Sequence, residues 1–239
     1  DKPATRVIIK GVAGSGKSTL MARLAHSWAK QESNCTLSKF ELVFVLRLHE
    51  LERKCSLIDA IFQQILAHDK VSKVGLESYI QSNPDKVLIL LDGFDEYSAP
   101  NVNNPMGNLE SAMSYQCLRD MYVIVSTRPH KELGTCQSRC FESVQLTGFS
   151  TDSIELYMTR FFRNETDLVK GLNEKLTEST ILKSLSHIPV MLMLMCLLWE
   201  DEQKLPPTQS ELYSKFVSFL WKKYCDKYKS TDNNIDDFM

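Results

Sequence analysis

The sequence predicts an α/β chain: a parallel sheet covered by helices on both faces, followed by a smaller helical unit. Three observations carry this. Apolar runs at Val7-Ile8-Ile9, Val87 to Leu91 and Met121 to Ser126 are continuous rather than alternating, as in strands buried on both faces. Stretches with helical spacing separate them, and strands alternating with helices give a parallel sheet. Beyond Gly148-Phe149-Ser150 the spacing is helical throughout. The chain has 239 residues, enough for one large domain or two smaller ones.

The elements follow in order. Val7-Ile8-Ile9 is a strand with only Asp1 to Arg6 before it. Thr19 to Lys30 is a helix with Leu20, Leu24 and Trp28 on one face. Phe40 to Leu48 is a second strand, and Ser56 to Ala67 an amphipathic helix with Leu57, Ile58, Ile61, Ile65 and Leu66 on its apolar side. Asn83-Pro84-Asp85 turns into the strand Val87 to Leu91. Asn101 to Gly107 is polar and turn-rich, a surface loop, and Leu109 to Leu118 is a candidate helix. Met121 to Ser126 is a strand, and a last strand, Ser143 to Leu146, closes the sheet. The helical part reads as Asp152 to Phe162, Asn173 to Leu185 and Val190 to Trp199. Leu205-Pro206-Pro207 breaks the pattern, and a helix runs from Thr208 to about Tyr224. Thr208 and Glu211 fit a capping box. Ser230 to Met239 is polar and expected to fray.

Two segments carry the chemistry. VIIKGVAGSGKSTL fits G-x-x-x-x-G-K-[ST], with Gly11, Gly16, Lys17 and Ser18 in the required places. A loop that wraps a phosphate must turn its N–H groups inward, and glycines permit that backbone. Lys17 can reach the terminal phosphates, and the Ser18 hydroxyl can sit on Mg2+. The helix that begins there adds the positive end of its dipole. In KVLILLDGFDE the buried strand ends at Asp92. Ligands of parallel sheets lie beyond the carboxyl ends of the strands, so Asp92 can hold Mg2+ directly or through water. Asp95 and Glu96 follow in the same loop, where a carboxylate can orient or deprotonate an attacking water. The fold class is therefore a P-loop NTPase parallel sheet flanked by helices, followed by a small helical subdomain.

Composition excludes other classes. The net charge is −2, which argues against bulk nucleic-acid binding or an anionic membrane partner. Lys222, Lys223, Lys227 and Lys229 alternate with Asp226 and aromatics, as on a solvated helix face. The seven cysteines have no zinc-ligand arrangement. Cys136 and Cys140 are the closest pair and lack further ligands, so the thiols read as reduced in a cytoplasmic protein. No signal peptide is visible, and the longest apolar run, Ile188 to Trp199, is too short to span a bilayer. A chain that starts at Asp1 and enters its first strand at once reads as a piece of a longer protein.

GVAGSGKSTL, LILLDGFDE, VIVSTRP and LTGFS together resemble the NACHT NTPase domain of NOD-like receptors, a STAND-class group of P-loop ATPases. The resemblance runs from Val7 to about Lys223, and Asp92 followed by Asp95 and Glu96 is its most specific mark. It implies an ATP/ADP site with Mg2+. Gly11, Val12, Ala13, Gly14, Ser15, Gly16, Lys17, Ser18 and Thr19 would form the phosphate loop, Ser18 and Asp92 would hold the metal, and Asp95 and Glu96 would activate water. Arg128 matches an arginine that touches the γ-phosphate. His187-Ile188-Pro189 is similar to a motif whose proline packs on adenine; Pro189 reads equally as a helix-starting proline. The implied division is residues 1–147, the nucleotide-binding domain; 148–207, a helical domain; and 208–239, the start of a truncated winged-helix subdomain, which LPPTQSELY resembles.

The implied activity is a switch with slow ATPase turnover: closed and monomeric with ADP, open and self-associating with ATP. Most of the winged helix, with its histidine, and the effector and leucine-rich-repeat domains of the family are missing from this sequence. Other readings are a nucleotide-binding scaffold without turnover, a signalling GTPase, a small-molecule kinase and a DNA-acting ATPase. No N-K-x-D segment is present to read guanine, the Asp95-Glu96 pair fits a kinase poorly, and the charge balance disfavours DNA.

Overall fold

A computed structural model describes residues 5–51, 56–66, 70–97, 118–131, 142–163 and 165–228. The expected loop from Asn101, the candidate helix from Leu109 as far as Cys117, Cys136 with Cys140, and the tail from Ser230 lie outside these residues. The chain divides into two compact units, Asp1–Leu146 and Thr147–Met239.

The first unit is a five-stranded sheet of β1 (Arg6–Gly11), β2 (Leu42–Arg47), β3 (Val87–Asp92), β4 (Tyr122–Thr127) and β5 (Glu142–Leu146). The order is β2-β3-β4-β1-β5 and every pairing is parallel. Its helices are α1 (Lys17–Ala29), α2 (Leu57–Gln64) and α3 (Lys73–Ser82). Side chains alternate across β3. Leu88 and Leu90 pack with Ile9, Met21, Phe40 and, from α1, Leu20 and Leu24. Val87, Ile89 and Leu91 pack with Val123, Val125, the α2 residues Ala60, Ile61 and Phe62, and the α3 residues Leu76 and Ile80. With helices on both faces, β3 has no polar side, which is why its sequence reads as a continuous apolar run.

Three details differ from the sequence expectation. Arg6 belongs to β1 and is fully buried: its guanidinium donates to the Leu118 carbonyl at 2.9 Å and to that of Met121, so the charge is carried by main-chain acceptors ahead of β4. Helix α2 stops at Gln64 and leaves Ile65 exposed, and the Gln64 side-chain amide turns to the tip of β2. There it accepts from Arg47 N–H at 2.9 Å and donates to Arg47 C=O at 2.8 Å, as a neighbouring strand would. Helix α3 is an addition to the expected elements. Its signals are the Ser72 cap, which accepts from Gly75 N–H, and Leu76 with Ile80 on one face; Gly75 in the first turn obscures them. The expected last strand is present as β5, an outer strand beside β1 with most of its side chains exposed.

The second unit contains α4 (Thr151–Phe161), α5 (Thr166–Glu178), α6 (Thr180–Ser186), α7 (Pro189–Glu202) and α8 (Gln209–Tyr228). The single helix expected from Asn173 to Leu185 is two. Ser179 takes an extended backbone, φ −121° and ψ 116°, and its hydroxyl caps α6 by accepting from Leu182 N–H. Thr208 caps α8 by accepting from Glu211 N–H at 3.3 Å, as its spacing predicts. Leu192, Leu194, Met195, Cys196 and Leu198 of α7 are buried with Ile154, Met158, Leu172, Leu176, Leu212 and Phe216. No single helix among the described residues is long and apolar enough to cross a membrane. Helices α6 and α7 pass together by composition but are bent by 118°. At the start of this unit Gly148 has φ +92°, and a Cβ there would lie 2.1 Å from the His187 carbonyl oxygen. Phe149 N–H donates to that oxygen at 2.8 Å, and His187 Nδ1–H donates back to Phe149 C=O at 2.7 Å.

Candidate functional site

The loop from Gly11 to Gly16 joins β1 to α1. Gly14 and Gly16 have φ of +75° and +96°, in the left-handed region that favours glycine. Gly11 is required for a different reason: a Cβ there would meet the Ser15 hydroxyl at 2.5 Å. The loop closes on itself through Ser15 N–H, which donates to the Val12 carbonyl at 3.2 Å. Helix α1 starts from Gly16 with no side-chain cap and no acidic residue in its first turn. Its leading N–H groups are therefore uncapped by side chains, the condition for an anion site. Val12, Ala13, Gly14, Ser18 and Thr19 are at least partly exposed, while Ser15 is buried with its hydroxyl unpartnered.

Lys17 Nζ folds back over the loop and donates to the carbonyls of Gly11 at 2.8 Å and Val12 at 3.0 Å. Burial holds its ammonium below the ordinary lysine value; the Asp95 carboxylate pulls it back up, and the Arg128 guanidinium pushes it down again. Asp92 and Glu96 also act on it. These five charged groups, separated in sequence, share one electrostatic neighbourhood.

The strand pattern explains how they meet. Asp92 continues the Leu88–Leu90 side of β3, and Ser126 continues the Ile124 side of β4, both on the α1 face of the sheet. The Ser126 hydroxyl donates to Asp92 Oδ1 at 2.5 Å and accepts from Gly93 N–H at 2.9 Å. Gly93, at φ +84°, turns the chain into a short 3-10 helix, Phe94–Glu96, pinned by buried Phe94 and Tyr97. Asp95 and Glu96 differ there: the Asp95 side chain is 10% exposed and that of Glu96 49%. Arg128, one residue beyond β4, reaches both, with Nε 2.8 Å from Asp95 Oδ2 and Nη2 3.9 Å from Glu96 Oε1.

Two neighbours escape the sequence reading. Ser126 is one, and only the pairing of β3 with β4 reveals it. His49 is the other, with Nδ1 3.6 Å from Glu96 Oε2. Pro189 belongs to the second unit, where it opens α7 after Ile188.

The set fits a nucleotide with Mg2+. A glycine loop, uncapped amides, Lys17 and Arg128 match a polyphosphate. Among the described residues no group of three or more His, Cys, Asp or Glu could hold a metal ion by itself. Mg2+ does not need such a cage: one carboxylate and one hydroxyl suffice when phosphate and water complete the shell, as Asp92 and Ser18 would allow.

Comparison with known proteins agrees with this geometry. The chain is 27% identical to Protein NLRC5 of Ictalurus punctatus, over 95% of this chain and 15% of that protein. It is 29% identical to the MHC class II transactivator of Homo sapiens, over 87% of this chain and 20% of that protein. It is also 29% identical to Nucleotide-binding oligomerization domain-containing protein 2 of Homo sapiens, over 78% and 19%. The chain thus spans a fifth or less of the length of these relatives. Among solved structures, a Walker-type ATPase of Pyrococcus abyssi superposes with a TM-score of 0.57 at 13% identity, covering 95% of this chain and 71% of that one, a likeness of fold. The family model described as NACHT domain matches residues 5–165, more than half of the sequence, and the chain belongs to this family, the nucleotide-binding domain of NOD-like receptors.

Proposed function

We propose that the chain is an ATP/ADP-binding module that acts as a molecular switch and slow Mg2+-dependent ATPase, controlling self-association of a cytoplasmic NOD-like innate immune receptor. One observation carries the reading. Lys17, Asp92, Asp95, Glu96 and Arg128 converge beside an uncapped helix N-terminus at the carboxyl end of the sheet. A cation pair and a loop of N–H groups are what a polyphosphate needs, and three acids are more than phosphate binding alone would tolerate.

Each residue then has a part. The amides of Gly14 to Ser18 and the Lys17 ammonium bind the phosphates, Lys17 exchanging carbonyl partners for phosphate oxygens. Ser18 and Asp92 would hold Mg2+, which would screen the phosphate charge. Asp95 and Glu96 orient water and take its proton. Arg128 moves from Asp95 to the terminal phosphate, so ATP and ADP leave the acids in different states. That difference in contacts is what a switch requires.

The test is the nucleotide carried by the purified protein, released by denaturation and separated by ion exchange against ADP, ATP, GDP and GTP standards. Bound ADP supports the switch; a protein that is empty and does not bind added ATP with Mg2+ rejects it. A second reading is a scaffold that binds without turnover. The Arg128–Asp95 pair favours it, since the guanidinium occupies the Asp95 oxygen that would otherwise face a water. Glu96→Gln separates the two: an unchanged, already negligible rate assigns the scaffold.

A further inference from the structure

We propose that Ser126 is a positioning residue for the metal-binding carboxylate: its hydroxyl fixes the orientation of Asp92 and couples it to the turn that bears Asp95 and Glu96. This rests on the proposed nucleotide site and gives a role to a residue of the VIVSTRP segment to which the resemblance assigns none.

The geometry is specific. Ser126 is 0% exposed, at the carboxyl end of β4. A hydroxyl has one proton and can accept; here the proton goes to Asp92 Oδ1 at 2.5 Å while the oxygen accepts from Gly93 N–H at 2.9 Å. Both roles are fixed by partners that cannot exchange them, because a main-chain N–H only donates. With Oδ1 engaged, Oδ2 is the Asp92 oxygen with no hydrogen-bond partner among the described residues. A carboxylate so held offers one oxygen in one direction, which suits a cation with a strict octahedral shell.

The second bond reaches further. Gly93 stands at φ +84°, and the turn after it sets Asp95 and Glu96. One buried hydroxyl therefore ties the metal acid and the water-directing acids to the same strand. The topology makes this possible: β4 lies between β3 and β1, so the tip of β4 touches Asp92 on one side while its strand pairs with β1, which leads into the phosphate loop. Partners of metal ligands that orient them are worth about 10- to 100-fold in metal affinity.

The experiment measures binding, not turnover. A fluorescent ADP analogue is titrated onto the full chain, in EDTA and across a range of Mg2+, for the unaltered protein, Ser126→Ala, Ser126→Thr and Asp92→Asn. Ser126→Ala is expected to keep its affinity in EDTA, since the phosphate loop is untouched, and to need about tenfold more Mg2+ for the half-maximal change. Ser126→Thr restores the hydroxyl and is expected to return the Mg2+ midpoint to within about twofold of the unaltered protein. Should the alanine variant fail to fold, Ser126→Cys fills the site, weakens the donor, and shifts the midpoint in the same direction. An unchanged Mg2+ midpoint overturns the proposal. So does an equal loss in EDTA and in Mg2+ with a lower melting temperature, which marks a structural tie only. An unaltered protein that binds no ADP rejects the nucleotide reading itself. One that binds ADP but ignores Mg2+ rejects the metal role of Asp92 and, with it, that of Ser126.

Discussion

Arg128 Nε lies 2.8 Å from Asp95 Oδ2, with the Asp95 side chain nearly buried and the guanidinium half exposed. The cation thus rests on an acid that it must leave to meet a terminal phosphate. Arg128→Ala is therefore expected to act on ATP and ADP unequally. A charge-assisted contact to phosphate is worth about 1.5 to 3 kcal/mol, so affinity for ATP should fall at least about tenfold and affinity for ADP should hold. Parallel titrations with the two fluorescent nucleotides measure this. Equal losses would assign Arg128 to holding the Asp95 turn and nothing more.

Lys17 is a strained cation in the free protein, since burial is the largest influence on it and lowers its pKa. A folded-state pKa below the unfolded value of 10.5 means that the unfolded chain binds more protons in the window between them. Stability linked to Lys17 is thus complete above 10.5 and is lost as pH falls through the lowered folded value. Lys17→Met removes that dependence. The variant should be at least as stable as the unaltered protein at neutral pH, and should lose the melting-temperature rise caused by nucleotide. Urea midpoints between pH 7 and pH 10.5, taken as a difference between the two proteins, test the sign. A marked destabilisation of the variant at pH 7 contradicts it.

Two glycines of similar appearance should respond in opposite ways. Gly148→Ala places a Cβ 2.1 Å from the His187 carbonyl oxygen at a φ of +92°. Strain and displacement of the Phe149–His187 bonds should cost about 3 kcal/mol. Gly75→Ala, in the first turn of α3, meets only ordinary contacts, with Ser72 Cβ at 3.5 Å and Oγ at 3.7 Å. It should be neutral or gain up to about 1 kcal/mol from helix propensity. Denaturant unfolding of both variants decides, and a tolerated Gly148→Ala would mean that the loop before α4 relaxes freely.

The inner strands of the sheet are legible in the sequence because burial on both faces leaves little polar alternation to misread: Val87 to Leu91 could hardly be anything else. The phosphate loop is legible because its spacing is local. What the sequence hides depends on register or on single polar groups. Ser126 and Asp92 are 34 residues apart, and nothing in either segment says that β4 lies next to β3. Ser179 looks like one more polar residue within a helical pattern, yet its extended backbone divides α5 from α6. Asp95 and Glu96 are adjacent and chemically alike on paper; only the fold makes one nearly buried, against Arg128, and leaves the other half exposed. Arg6 reads as a charged residue outside the strand until its carbonyl partners are in view.

Cys196 gives the second unit a chemical marker of its integrity. It sits within α7 among buried apolar residues, and burial, with the Glu200 carboxylate adding to it, pushes its pKa up to about 12 from 9.0. At neutral pH the folded protein therefore keeps it as a thiol, and alkylation, which needs the thiolate, must wait for opening. Peptide-level mass spectrometry after brief iodoacetamide treatment should find the half-exposed Cys35 modified and Cys196 spared, with Cys196 reacting in urea. The same shift has a stability consequence. A folded pKa above the unfolded one means that the contribution is fully present below pH 9 and is lost as pH rises toward 12. Cys196→Ala should thus flatten the alkaline fall in stability while lowering stability at neutral pH by about 1 kcal/mol for the lost packing. Rapid labelling of Cys196 in the native protein would show instead that α7 opens readily and that the helical unit is only loosely closed around it.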